Sequence, residues 1–95
     1  MKPLPTLRQL RYLVAVVDRG HFGRAAESCL VSQSTLSAAI QELEDVLGAR
    51  LLERGKRAVM PTPLGRDVAE RARALLKDAE DLVDMAQAAA DPMNG

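Results

Sequence analysis

The sequence predicts a mainly α fold, helices packed on helices with one small β-hairpin, and three observations carry that reading. Nearly half of the 95 residues are apolar, yet Phe22 and Tyr12 are the only aromatic ones, so the core must be built from Leu, Val, Ile and Ala. Apolar side chains recur at helical spacing in four stretches, while only residues 51–60 hold short β-capable runs. A chain this short buries only about 60–65% of its unfolded surface, so help from a partner is expected.

The first helix is expected over Leu7–Arg19. Thr6 followed by Gln9 is a capping-box signature, Leu7, Leu10, Leu13, Val14 and Val17 supply the apolar stripe, and Gly20 stops it. Arg24–Leu30 reads as a short second helix with Gly23 as its cap, and the adjacent Ala25 and Ala26 would let another helix approach closely. Val31 and Ser32 interrupt it. A third helix follows, capped by Ser32 or Ser34, in which Leu36, Ile40, Leu43 and Leu47 fall within about 60° of one another and form a buried stripe. Ser34, Ser37, Ala38 and Gln41 lie opposite that stripe and carry no charge, whereas Glu42, Glu44 and Asp45 gather towards the C-terminal end.

Gly48 ends the third helix. Leu51–Arg54 and Ala58–Met60 then read as a hairpin whose tip carries Arg54, Lys56 and Arg57, with Pro61 closing it. Thr62 is an N-cap, Pro63 the first helical residue, and nothing but Gly65 interrupts helical character before Asp91-Pro92, a helix of about 28 residues and about 42 Å. Along it Val68, Ala72, Leu75, Ala79, Leu82, Ala86 and Ala89 repeat at alternating offsets of four and three, widened by Leu76 and Val83. A helix of that length has too little domain to lie against, so a second copy is expected to cover the seam; folding back onto its own domain is the alternative. The chain thus divides into a domain at 1–62, a dimerisation helix at 63–90 and a flexible tail at 91–95.

The formal charge is zero, but it is unevenly spread: residues 1–66 carry 10 Lys or Arg against 6 Asp or Glu, and residues 67–95 carry 3 against 7. Only the first two thirds suit a polyanion. No apolar run approaches the roughly 18 residues that span a bilayer, so no membrane partner and a cytoplasmic location are expected. His21 reads as a surface or helix-capping residue and Cys29, the single cysteine, as a small buried one. Spacing assembles no nucleophile with a base and an orienting group, and no cluster of metal ligands, so no enzyme activity, metal or cofactor is assigned.

Two helices joined by a tight turn and followed by a hairpin form the layout of a winged helix-turn-helix, whose second paired helix enters the major groove of duplex DNA. Ser32, Gln33, Ser34, Thr35, Ser37, Ala38 and Gln41 are the candidate groove-facing residues, since hydroxyls and amides pair with base edges and glutamine suits adenine. Arg54, Lys56 and Arg57 are the candidates for phosphates or a narrow minor groove, with a solvated hairpin tip as the plainer alternative. Arg8, Arg11 and Arg24 are weaker phosphate candidates. Val68, Ala72, Leu75, Leu76, Ala79, Leu82, Val83 and Ala86 are the candidate dimer interface. A protein-interaction module that uses the long helix to recruit a partner is the competing function.

Ala25-Ala26, the run Leu30-Val31-Ser32-Gln33-Ser34-Thr35-Leu36-Ser37, then Ile40-Gln41-Glu42-Leu43-Glu44, Leu47-Gly48 and Leu51-Leu52-Glu53-Arg54 together resemble the N-terminal domain of LysR-type transcriptional regulators, over residues 6 to about 90. Within that family the resemblance is greatest to the peroxide-responsive activators, through Arg11–Ala15, His21-Phe22 and Glu27-Ser28-Cys29. The resemblance implies a dimer joined through the long helix on an interrupted, dyad-symmetric, A·T-rich site, with tetramers only in full-length proteins. It implies base contacts from Gln33, Ser34, Thr35 and Ser37, and wing contacts from Arg54 and Arg57. Ser34 stands where the family commonly has proline and Ala39 where it commonly has glutamine, which bears on base preference. It also implies a C-terminal effector domain beyond Gly95 that would hold any peroxide-sensing cysteines, so Cys29 does not inherit that role.

Overall fold

A capping box starts the chain's first helix, α1 (Leu7–Arg19), in the computed structural model, which describes residues 1–55 and 58–90. The Thr6 hydroxyl accepts from the Gln9 N–H at 3.1 Å, and the Gln9 side-chain oxygen accepts from the Thr6 N–H at 3.0 Å. This reciprocal pair satisfies two donors that the first helical turn leaves without partners. Gly20 ends α1 in the left-handed conformation, as expected.

Helix α2 (Phe22–Cys29) departs from expectation at both ends. It starts two residues early because His21, not Gly23, is the N-cap: the imidazole Nδ1 accepts from the Arg24 N–H at 3.2 Å. Gly23 lies inside the first turn, where a Cβ would meet the His21 ring at 3.0 Å and the Gln33 amide at 3.1 Å. Leu30 is not helical. It closes α2 at φ 60°, a conformation that costs a side chain such as leucine about 1–2 kcal/mol. Two hydrogen bonds hold it there, Leu30 N–H to the Glu27 carbonyl at 3.1 Å and Val31 N–H to the Ala26 carbonyl at 3.0 Å, which close the helix end.

Helix α3 (Gln33–Leu47) takes Ser32 as its cap, and Gly48 ends it. Strands β1 (Leu52–Arg54) and β2 (Val59–Pro61) pair antiparallel, with Leu52 opposite Pro61 and Arg54 opposite Val59, so β2 lies one residue later than the sequence suggested and β1 starts one residue later but ends at the same Arg54. The reason is Leu51: its carbonyl receives the Thr62 N–H at 2.9 Å and its N–H goes to Glu44, so it serves α4 and α3, not the ladder. Helix α4 covers Pro63–Ala90, and Thr62 caps it by accepting from the Gly65 N–H at 2.9 Å. Lys56, Arg57 and residues 91–95 lie outside the described residues.

The core joins α1, α2, α3, the hairpin and the first turns of α4. Leu13, Val16, Leu36, Ile40, Leu43 and Leu51 are fully buried, each large side chain contributing about 1.5–3 kcal/mol. Ala25, Ala26, Ala69 and Ala72 are buried with them, and their small size lets helix axes come close. Closest of all is α4 to the loop before β1, where a Cβ on Gly65 would stand 1.9 Å from the Leu51 carbonyl oxygen. On the outside, Arg73 of α4 donates to both carboxylate oxygens of Asp18 of α1, at 2.5 and 3.1 Å. That bidentate bond holds the Asp18 carboxyl below its ordinary 3.8 against the opposing effect of desolvation.

Candidate nucleic-acid interface

Helix α3 presents two opposite faces, and the first is spent on the core through Leu36, Ile40 and Leu43, each 0% exposed, whereas Leu47, expected in the same stripe, is 38% exposed at the helix end. The second is open: Ser32, Gln33, Ser34, Thr35, Ala38 and Gln41 are exposed and Ser37 is half-buried. At its N-terminal end the hydroxyls form a linked group. Ser32 Oγ accepts from the Thr35 N–H at 3.1 Å and lies 2.9 Å from Thr35 Oγ1 and 3.1 Å from Ser34 Oγ. Such a group at the positive end of a helix dipole offers donors and acceptors without a side-chain charge.

Two of the acids that follow are turned to structural work. Glu42 accepts from the Gln9 amide of α1 at 3.4 Å, and one Glu44 oxygen accepts from the Leu51 and Leu52 N–H groups at 2.7 and 3.4 Å. Glu44 thereby ties the base of the hairpin to α3, a role invisible in the sequence, where it read only as one of three acids near the helix end. The hairpin is tied again on its other strand, where the Val59 N–H donates to the Gly20 carbonyl at 3.3 Å.

Arg54, at the end of β1, is exposed and its guanidinium lies over the Phe22 ring, 5.1 Å from the centroid. A groove of about 160 Å3 between α3 and the hairpin is lined by Gln41, Glu44, Arg50, Leu52 and Arg54. The fold thus brings together Gln41 and Arg54, which the sequence placed on separate elements, and adds Arg50, which sequence reasoning missed. A lone arginine just after the helix-ending Gly48 was the available signal. Lys56 and Arg57, the other two wing candidates, are outside the described residues.

Arg24 is exposed near the start of α2, where its backbone N–H donates to the His21 cap. Arg8 and Arg11 sit elsewhere, with Arg19 along a groove of about 660 Å3 between α1 and α2 that includes no residue of α3 or the hairpin. Cys29, expected as a small buried side chain, is only half-buried, on the wall of that groove. His21 is the helix cap already described. Among the described residues no cluster could hold a metal ion, and no helix is long and apolar enough to cross a membrane.

The seam of α4 divides in two. Val68 packs against the chain's own core and Ala72 is 1% exposed within it, so Ala72 is removed from the surface that another chain could touch. Ala72, expected in the contact between copies, is instead covered by its own domain, because α1 packs against the first turns of α4. Leu76 and Ala79 are half-buried, whereas Leu75, Leu82 and Val83 are 45%, 62% and 55% exposed and Ala86 is also exposed. Met85, 63% exposed beside them, was not anticipated, although its offset of three from Leu82 places it on a neighbouring line of the helix.

Fold and site define the class: a winged helix-turn-helix of the regulatory, DNA-binding kind. The profile of the bacterial regulatory helix-turn-helix proteins of the lysR family matches residues 7–66, and the chain belongs to that family. It is 48% identical over 95 residues to the HTH-type transcriptional regulator EstR of Acinetobacter baylyi, all of this chain against 32% of that protein. Among solved structures it is similar to a cysteine-to-aspartate variant of full-length OxyR from Pseudomonas aeruginosa, with TM-score 0.87 and 45% identity over 90% of this chain and 29% of that one. It is likewise similar to BenM_DBD in complex with benA site 1 DNA, with TM-score 0.85 and 42% identity over 92% of this chain and 98% of that one. OxyR proteins are thus among its relatives, as the sequence resemblance implied. The chain spans about a third of the length of EstR and of full-length OxyR.

Proposed function

We propose that this chain is the DNA-reading part of a transcription regulator and binds duplex DNA as a homodimer. The observation that carries this reading is the uncharged flank of α3, exposed from Ser32 to Gln41 while the opposite flank is sealed in the core. In the major groove Gln33, Ser34, Thr35, Ser37, Ala38 and Gln41 would face base edges. Arg54, with Lys56 and Arg57 beyond it in sequence, would meet phosphates or a narrow minor groove, and Arg50 would add a backbone contact beside Gln41. BenM_DBD, which shares the fold, is seen with DNA, and this supports the same use of α3 here. A module that recruits a helical partner and ignores DNA would leave that flank without a use.

The working division is residues 1–62 for DNA and 63–90 for association, with Leu75, Leu76, Ala79, Leu82, Val83 and Ala86 as the contact between copies and Val68 at its margin. A cytoplasmic location follows from access to DNA. The test is selection of bound sites from random duplexes, then titration of the selected site against salt. Enrichment of a two-fold symmetric, A·T-rich site is expected, with affinity falling as salt rises by a logarithmic slope of about −0.9 per phosphate neutralised. No enrichment together with a flat salt response would remove the proposal.

A further inference from the structure

Arg54 is held in a way that a solvated arginine would not be. Its guanidinium carbon lies 5.1 Å from the centroid of Phe22, inside the roughly 6 Å over which a cation and a ring face attract. Phe22, the chain's one phenylalanine, opens α2 and packs partly against the core, so the ring is a fixed platform. The strand that carries Arg54 is fixed too: its start is bound through Leu51 and Leu52 to Glu44 of α3, and the facing strand through Val59 to the end of α1. Among the described residues no carboxylate is paired with Arg54. A ring face attracts the cation through its quadrupole and is not a hydrogen-bond acceptor of the carboxylate kind, so it restrains the group while leaving it unpaired with any acid among the described residues.

We propose that Phe22 is a positioning residue for DNA recognition: it pre-aligns Arg54 beside α3 so that the arginine reads a narrow, A·T-rich minor groove next to the major-groove contacts. This rests on the DNA-binding reading above. A free arginine must surrender its rotamer freedom on binding, and one already held over a ring has less to lose. Phe22 touches no base in this scheme and acts only through Arg54. The narrow groove matters because its potential is deeper there, and a pre-aimed cation gains most where the potential is deepest.

The experiment is a double-mutant cycle in DNA affinity using the wild-type protein, Phe22→Leu, Arg54→Ala and the double variant, on the selected site flanked by A·T pairs or by G·C pairs. Phe22→Leu is expected to weaken binding to the A·T-flanked site by about two- to five-fold, less with G·C flanks, and not at all once Arg54 is alanine. Phe22→Tyr, which keeps the ring, should bind like wild type. An equal loss with and without Arg54, or no loss while Arg54→Ala weakens binding, overturns the proposal and leaves DNA binding standing. A wild-type protein that binds no duplex overturns both. The stack itself is checked without DNA, or if Phe22→Leu does not fold, by the ring-current shift of the Arg54 side-chain protons in the wild-type protein; unshifted protons overturn the positioning role.

Discussion

The two halves of α4 carry the same apolar repeat and meet opposite fates. From Gly65 to Ala72 the helix is part of the core, with Ala69 and Ala72 almost fully buried and Arg73 locked onto Asp18 of α1. From Leu75 onward no buried residue remains, and Leu82, Val83 and Met85 are more than half exposed. A heptad-like pattern therefore reports that something covers a helix and says nothing about whether the cover is the same chain or another. What marks the covered half is that its buried residues, Gly65, Ala69 and Ala72, are all small, because close approach to α1 and the hairpin needs small side chains.

The sharpest break of this contrast is Gly65→Ala. Its new methyl would collide with a backbone carbonyl that cannot move without disturbing the Thr62 cap, so a loss of about 3 kcal/mol or more is expected in chemical unfolding. Ala72→Leu should follow, costing about 1–3 kcal/mol by overpacking against α1, with DNA contacts untouched. Leu82→Glu tests the other half: sedimentation should show self-association weakened by about tenfold or more, equal to about 1.4 kcal/mol, while unfolding of the monomer stays the same. If Leu82→Glu destabilised the monomer as Ala72→Leu does, the two halves would not differ in the way described.

Smaller effects sharpen the same line. The Asp18–Arg73 bond spans two elements, but both side chains are more than 40% exposed, so Asp18→Asn should cost at most about 1 kcal/mol and less in high salt. Its sign with pH follows from a folded-state value lowered by Arg73: the contribution is complete above the ordinary 3.8 and fades as pH falls below it through the lowered value. Acid titration of stability should accordingly show a steeper fall below about pH 4 in the wild type than in Asp18→Asn. Lys77 bonds Asp81 at 2.7 Å within the distal half, on one helix and in water, and Lys77→Ala should leave unfolding unchanged.

Which flank of α3 is open was legible beforehand, for a local reason. The spacing of Leu36, Ile40 and Leu43 decides which flank of α3 is buried, and the flank from Ser34 to Gln41 follows by rotation. Caps at Thr6 and Thr62 were readable, and that of α3 was narrowed to Ser32 or Ser34, because each satisfies its own helix end within three residues. The start of α2 was misread because histidine ranks low among caps and a glycine stood two residues on, at a place where the close His21 ring and Gln33 amide exclude a side chain.

What the sequence determined by itself was periodic and short in range: four helices, a hairpin, the buried and open flanks of α3, and the gathering of positive charge in the first two thirds. Only the tertiary structure decided that Glu44 anchors the hairpin, that Phe22 lies under Arg54, and that Ala72 belongs to its own domain while Leu82 does not. Each of these depends on residues from different elements arriving at one place. No spacing along a chain records that meeting, because it is set by how whole helices pack.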